Sequence, residues 1–183
     1  MQQIEDAVIL EKFANERTKE EAFTLLLKKY QQKIYWHVRR LVLNHDDADD
    51  LVQDAFIKVW KNLGNFRSDS QLYTWIYRIA TNECLTFLNK KKQQNNIPLD
   101  EVSYDLAESL KEGSYFNGNQ AELKLQQALL TLPEKQRLVF NMKYFDDLKY
   151  EEISEILGTS VGGLKASFHH AVKKIESFLL SKD

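Results

Sequence analysis

YEEISEILGTSVGGLKASFHHAVKKI, residues 150–175, decides how the chain is read. Ile153, Ile156 and Leu157 recur at the spacing of one helical face. Gly158 follows, the residue type that most readily takes the left-handed conformation in which helices stop and turn. Ser160 is a good N-cap, and Leu164, Phe168, Ala171, Val172, Ile175 and Phe178 then draw a second apolar stripe. Two helices joined by a short glycine-containing turn form a helix-turn-helix, whose second helix enters the DNA major groove. Its outward positions are Gly162, Lys165, Ala166, His169, His170 and Lys173. They are small, cationic or hydrogen-bonding, as phosphates and base edges require. The alternative is a plain helical hairpin with a solvated basic face. The paired glycines Gly162 and Gly163 weigh against it. Each lowers helix stability by up to ~1 kcal/mol in an interior and by less at an end, and close approach of backbone to phosphate would explain them. His169 and His170 are adjacent on a helix and do not face one metal, so DNA contact or plain surface is the expectation for both.

A DNA reader is usually basic. This chain of 183 residues carries 27 acids against 25 bases, a formal charge of −2. Its hydrophobic content of 43% is enough for a packed core and argues against wholesale disorder. The length allows one domain or two small ones. The lone Cys84 can form neither an internal disulfide nor, by itself, a thiolate zinc cage. The N-terminal sequence is acidic and lacks the basic-then-apolar layout of a signal peptide, and no apolar run is long enough to cross a bilayer. These features agree with a cytoplasmic protein that does not insert in membranes.

The few breakers set the organisation. Residues 1–63 hold neither glycine nor proline and read as helices. Thr18 with Glu21 has the form of a capping box, opening a long helix with Phe23, Leu26, Tyr30, Ile34, Val38 and Leu41 on one stripe. HDDADD (45–50) opens a third helix, since acids are favoured at the positive end of the helix dipole, and Gly64 closes it. A loop, NFRSDS (65–70), leads into a fourth helix over residues 71 to about 91. Residues 93–120 hold Pro98, Gly113 and Gly118, five acids and one lysine, without periodicity. That length suits an acidic linker better than a connection inside a compact domain. Helical periodicity resumes at Ala121, and Pro133 sits where a first helical turn tolerates it. The fold class is therefore all-α, with two small helical domains, 1–92 and 121–183, joined by the linker and the second a helix-turn-helix.

On the third helix, Ala48, Val52, Ala55, Phe56 and Val59 share the core face. Nearly opposite lie Asp50, Gln53, Ile57 and Lys61, flanked by Asp54 and Trp60. This is either a solvated face with one stray apolar residue or an acidic docking surface with an apolar centre for a basic partner. On the fourth helix, Leu72, Ile76, Ile79 and Phe87 make a core stripe, while Gln71, Thr74, Arg78 and Asn82 line the other side. Phe66, Tyr73, Trp75 and Tyr77 interleave with Arg67, Arg78 and Lys90 to Lys92, which suits stacking of unpaired bases beside phosphate-binding cations. The tyrosines and Trp75 have a core or boundary role as the alternative, and for Trp75 that is the expectation. Glu83 falls on the core stripe, so it must sit at an edge or have a basic partner.

Three blocks together resemble the bacterial sigma-70 family in its extracytoplasmic-function (ECF) subfamily: DDADDLVQDAFIKVW (46–60), FRSDSQLYTWIYRIATNECLTFL (66–88) and LPEKQRLVFNMKYFDDLKYEEISEILGTSVGGLKASFHHAVKKI (132–175). The resemblance covers nearly the whole chain apart from the linker. It implies an initiation factor, not an enzyme, that binds core RNA polymerase and directs it to promoter DNA, duplex at −35 and single-stranded at −10. It carries the polymerase contact to Asp50, Gln53 and Asp54, with Ile57 at the centre of that face. It carries −10 recognition to Asn65, Phe66, Arg67, Ser68, Asp69, Ser70, Gln71, Thr74, Tyr77, Arg78 and Asn82. It carries −35 recognition to Ser160, Val161, Gly162, Gly163, Lys165, Ala166, His169, His170 and Lys173. It also implies an anti-sigma partner, a linker threaded toward the polymerase active-site channel, and no cofactor, metal or catalytic residue. Ser167, His170 and Val172 stand where the family often has arginine, and Gly163 where threonine or alanine is common, so weak duplex affinity without polymerase is expected. The alternative function is a stand-alone helix-turn-helix regulator that binds paired half-sites as a dimer. A hydrolase or metal enzyme has no phosphate loop, nucleophile constellation or ligand spacing to support it.

Overall fold

A computed structural model describes residues 4–95 and 120–181 of the chain. Among the described residues there are eight α-helices and no strand: α1 (Asp6–Phe13), α2 (Lys19–Val42), α3 (His45–Asn62), α4 (Leu72–Asn95), α5 (Gln120–Leu130), α6 (Glu134–Tyr144), α7 (Tyr150–Leu157) and α8 (Val161–Leu180). A 3-10 turn, Leu63–Asn65, follows α3. The acidic linker expected over 93–120 lies, apart from its two helical ends, outside the described residues.

Helices α1 to α4 pack through the predicted stripes. Leu26, Tyr30, Ile34, Val38 and Leu41 of α2 are buried, as are Ala48, Val52, Ala55, Phe56 and Val59 of α3. The α2 start is placed as expected but held differently. Thr18 makes no cap hydrogen bond; its hydroxyl donates 2.7 Å to the Lys12 carbonyl. Glu21 ion-pairs with Lys12 instead of closing a capping box. The tight α1–α2 connection brings Lys12 over the cap, and a tertiary contact displaces the local one. Glu83 meets its required basic partner, Lys58.

The C-terminal helices form a core of their own from Ala128, Leu129, Leu132, Phe140, Ala171 and Ile175. Their other side carries Leu138, Val139, Met142, Leu148, Ile153 and Ile156, and these join the core built by α1 to α4. Helix α7 lies against α4, and α6 touches α2. Hydrophobic burial therefore runs across the boundary between the two halves, and the −10 and −35 candidates are positioned on one body.

Candidate functional site

The first surface is a groove between α2 and α3. Asn44 caps α3, its side chain accepting 2.9 Å from the Asp47 amide, so the helix begins with its acids at the positive end of the dipole. With the core face buried, Asp50, Gln53, Asp54 and Ile57 are all exposed, and Ile57 keeps 50% of its surface open. Gln53 and Ile57 line a groove of about 850 Å³ together with Leu27, Trp36, Val52 and Phe56. Asp50 and Asp54 stand on the same exposed face, and Asp49 lines the groove with Lys28. The α2 wall is absent from the sequence-based site. Its signal was present: Leu27, Gln31 and Tyr35 continue an i+4 row that starts from Phe23 of the predicted stripe, with Trp36 adjoining it. An open apolar groove edged by carboxylates suits a partner that brings an apolar anchor and basic side chains.

The second surface surrounds the start of α4. Phe66 packs on Trp75 with ring centroids 5.3 Å apart, which fixes the loop, and Ser68 takes a left-handed conformation at φ 58°. Asn65, Arg67, Ser68, Asp69, Gln71, Arg78 and Asn82 are exposed, and Phe66 and Ser70 are half-buried. Asn65 and Asn82 share a pocket of about 390 Å³ with Lys58, Trp75 and Glu83. It offers amide donors and acceptors beside an aromatic edge, the groups that an unstacked base engages. Trp75 is half-buried, the boundary residue expected.

Two candidates are placed differently. Thr74 is 2% exposed and Tyr77 4%, so neither reaches solvent in this arrangement. Helix α4 packs on α2 and α3 and also on α7, so an apolar stripe on one side leaves its covered area underestimated. Tyr77 lies 4.9 Å from the His37 ring, and its hydroxyl pKa is pushed up by burial first and by nearby Asp146 second, with Arg40 opposing. Of the lysines at the end of α4, Lys91 pairs with Asp47 and Lys92 with Glu134.

The third surface is the helix-turn-helix. Gly158 adopts φ 63° and its amide donates to the Ser154 carbonyl at 2.9 Å, ending α7. Ser160 accepts from the Gly163 amide at 3.2 Å and starts α8. Leu164, Ala171 and Ile175 are buried, and Val161 is half-buried. Ser160, Gly162, Gly163, Lys165, Ala166, His169, His170 and Lys173 are all exposed. Lys165, His169 and Lys173 succeed one another at i+4, a row of hydrogen-bond donors running back from an open helix N-terminus. A Cβ on Gly162 would meet nothing within 4 Å, whereas one on Gly163 would lie 3.2 Å from the Ser160 hydroxyl. Gly163 thus has a local packing reason and Gly162 has none. Among the described residues no group of three or more His, Cys, Asp or Glu converges as metal ligands, and no helix is long and apolar enough to cross a membrane.

Comparison with known proteins places these surfaces in a family frame. The family model for Sigma-70 region 2 matches residues 26–94, and that for Sigma-70, region 4 matches residues 122–175. The chain is 33% identical over 186 residues to the ECF RNA polymerase sigma-E factor of Escherichia coli K12, covering 96% of this chain and 95% of that protein. It is 32% identical over 180 residues to the RNA polymerase sigma-H factor of Pseudomonas aeruginosa, covering 90% and 89%. In fold it is similar to the sigma factor RpoE solved with the anti-sigma factor NepR from Bartonella quintana, at a TM-score of 0.68, 21% identity and coverage of 89% of this chain and 99% of that one. It is similar too to CnrH solved with the cytosolic domain of CnrY, at 0.68, 20%, 95% and 96%.

Proposed function

Because the chain belongs to the sigma-70 family of transcription initiation factors, in its ECF subfamily, we propose that its three surfaces divide the work of promoter recognition. The chain binds core RNA polymerase and directs it to promoters. The α2–α3 groove docks on the polymerase, with Ile57 as apolar anchor and Asp50, Gln53 and Asp54 as the polar rim. The loop from Asn65 to Gln71, with Arg78 and Asn82, takes the −10 element. Its pocket receives an extruded base, and that binding offsets an unstacking cost of a few kcal/mol. Helix α8 reads the −35 duplex from Ser160 to Lys173. Residues 1–92 and 121–183 act as the two recognition domains on either side of the acidic linker.

The family is a non-catalytic one, and this chain contributes binding and strand capture while the polymerase transfers nucleotides. It works in the cytoplasm, where polymerase and DNA are. An anti-sigma partner belongs to the same proposal. The RpoE structure of like fold holds the anti-sigma factor NepR and that of CnrH holds the cytosolic domain of CnrY, and the α2–α3 groove offers such a partner an apolar place to bind.

The observation that supports this reading is where the two family matches fall. Residues 26–94 hold the exposed groove and the asparagine-lined pocket, and residues 122–175 hold the open start of α8. The test is promoter-dependent transcription by a cognate core polymerase. Run-off product that requires this chain is expected. A folded chain that supports none, yet binds duplex alone as a dimer, would replace the reading with a stand-alone regulator.

A further inference from the structure

The pocket offered to an extruded −10 base holds one charged pair, and the two charges sit at different depths. Lys58 comes from α3, Asn65 from the turn that follows it, and Trp75, Ile79, Asn82 and Glu83 from α4. Lys58 pairs with Glu83 inside this lining. The Lys58 side chain is 52% exposed and that of Glu83 only 17%. The ammonium therefore stands toward the mouth and the carboxylate lies deeper. Lys58 donates to Oε1 of Glu83, which leaves Oε2 to accept a second hydrogen bond. Trp75, packed on Phe66, and Ile79 add an aromatic and an apolar wall. Burial alone required a basic partner for Glu83. The pocket gives the carboxylate a further use.

A base that swings into a pocket keeps its sugar and phosphate outside, so the edge farthest from the sugar goes in first. On that edge the bases fall into two classes. Cytosine and adenine carry an amino group, N4 or N6, beside a ring nitrogen that accepts. Thymine and guanine carry a carbonyl oxygen, O4 or O6, beside a ring N–H. A carboxylate only accepts and an ammonium only donates. The deep Glu83 carboxylate thus takes a hydrogen bond from an amino group and repels a carbonyl oxygen, while the Lys58 ammonium nearer the mouth donates to the ring nitrogen. Asn65 and Asn82 make no such choice, because an amide turned one way donates and turned the other way accepts. They hold a base without selecting it.

We propose that Glu83, braced by Lys58, sets which base the −10 pocket accepts: one with an amino group on the edge away from its sugar, cytosine or adenine, in preference to thymine or guanine. The inference rests on the base-pocket reading of the proposed function and adds to it the chemistry of the base.

The experiment uses core polymerase joined with the full chain. Strands are first selected from a pool of fork-shaped promoters, randomised over the −35 duplex and the single-stranded −10 segment. An abasic site walked through the selected −10 strand then marks the pocket, as the position where loss of the base weakens the parent but hardly affects Asn82→Ala. At that position the four bases are compared by competition. Cytosine or adenine is expected to bind about fivefold or more tightly than thymine and guanine, and the better of the two identifies the ring that fits. Glu83→Gln, whose amide serves either class, should bring all four bases within about twofold of one another. Lys58→Met should keep or sharpen the amino preference, since it leaves the carboxylate unshared, whereas a purely structural ion pair would make both variants fail alike. A parent that favours thymine or guanine there, or a preference that survives Glu83→Gln, overturns the role of Glu83. If Glu83→Gln does not fold, Lys58→Met decides, and loss of the amino preference in it overturns the proposal. If no position is coupled to Asn82, the base pocket itself falls, and this inference with it.

Discussion

Reversing the charges of the docking rim tests where this chain meets polymerase. Asp50 and Asp54 are one turn apart on the exposed face of α3, about two turns and one turn before Ile57. An exposed carboxylate facing a cation contributes roughly 0.5–1 kcal/mol at a wet rim. Asp50→Lys with Asp54→Lys replaces two such attractions by repulsions, a change of about 2–4 kcal/mol, or about 30- to 1,000-fold in affinity. The loss should shrink as salt rises, since the screening length falls from ~30 Å at 0.01 M to ~8 Å at 0.15 M. Ile57→Ala makes the contrasting case. Half of Ile57 is still open to solvent, and burying that half is worth about 1 kcal/mol. Its removal should weaken docking about fivefold, with little dependence on salt. Both variants alter exposed positions, so melting temperatures should stay close to the parent's. Titration of labelled chain with core polymerase at low and physiological salt reads all three quantities. A charge-reversed variant that keeps its helix content and binds within twofold of the parent at low salt would refute the placement of the docking face on α3.

Two further outcomes follow from single positions. At Gly162 an added Cβ meets open space, so Gly162→Ala should leave stability unchanged or slightly raised. If backbone and phosphate meet there, it should weaken holoenzyme binding to −35 duplex several-fold. At Gly158 the φ of 63° makes Gly158→Ala cost roughly 1–2 kcal/mol, a fall of several degrees in melting temperature. Binding assays and thermal melts separate the two glycines. Burial, and secondarily Glu83, pushes the Cys84 thiol up from 9.0 to about 12. The folded state therefore holds the thiol proton more tightly than the unfolded chain does. This stabilising contribution is complete below pH 9 and is lost as pH rises toward 12. Urea melts from pH 8 upward should show the loss, and a thiol reagent at pH 8 should label the native chain far more slowly than the unfolded one.

What the sequence made legible lies within three or four residues of itself. The two faces of α3, the left-handed turn at Gly158, the cap at Ser160 and the outward row of α8 are all stated by local spacing, and the structure has them where the spacing puts them. Glu83 was legible in another way: a carboxylate on an apolar stripe demands a partner, and Lys58 supplies it. The failures have a common cause. Thr18 gives up its capping role because Lys12 folds back over it. The α2 wall of the groove exists only once α2 and α3 pack. Thr74 and Tyr77 are covered on a helix that packs on more than one side. His37 Nδ1 lies 2.9 Å from the Asp146 carboxylate across 109 residues of sequence. A periodic pattern states which side of a helix is apolar, but not how many neighbours will cover it.

The same limit explains why net charge was a poor guide. A formal charge of −2 describes the chain, whereas a phosphate at 0.15 M salt senses charges within about 8 Å. Acids at Asp50 and Asp54 edge the proposed docking face, while Glu134, Asp146 and Glu152 are engaged by Lys92, Arg40 and the Tyr73 hydroxyl. Helix α8 carries Lys165 and Lys173 on its exposed side. An acidic chain can read DNA in this way because its acids and its bases face different partners.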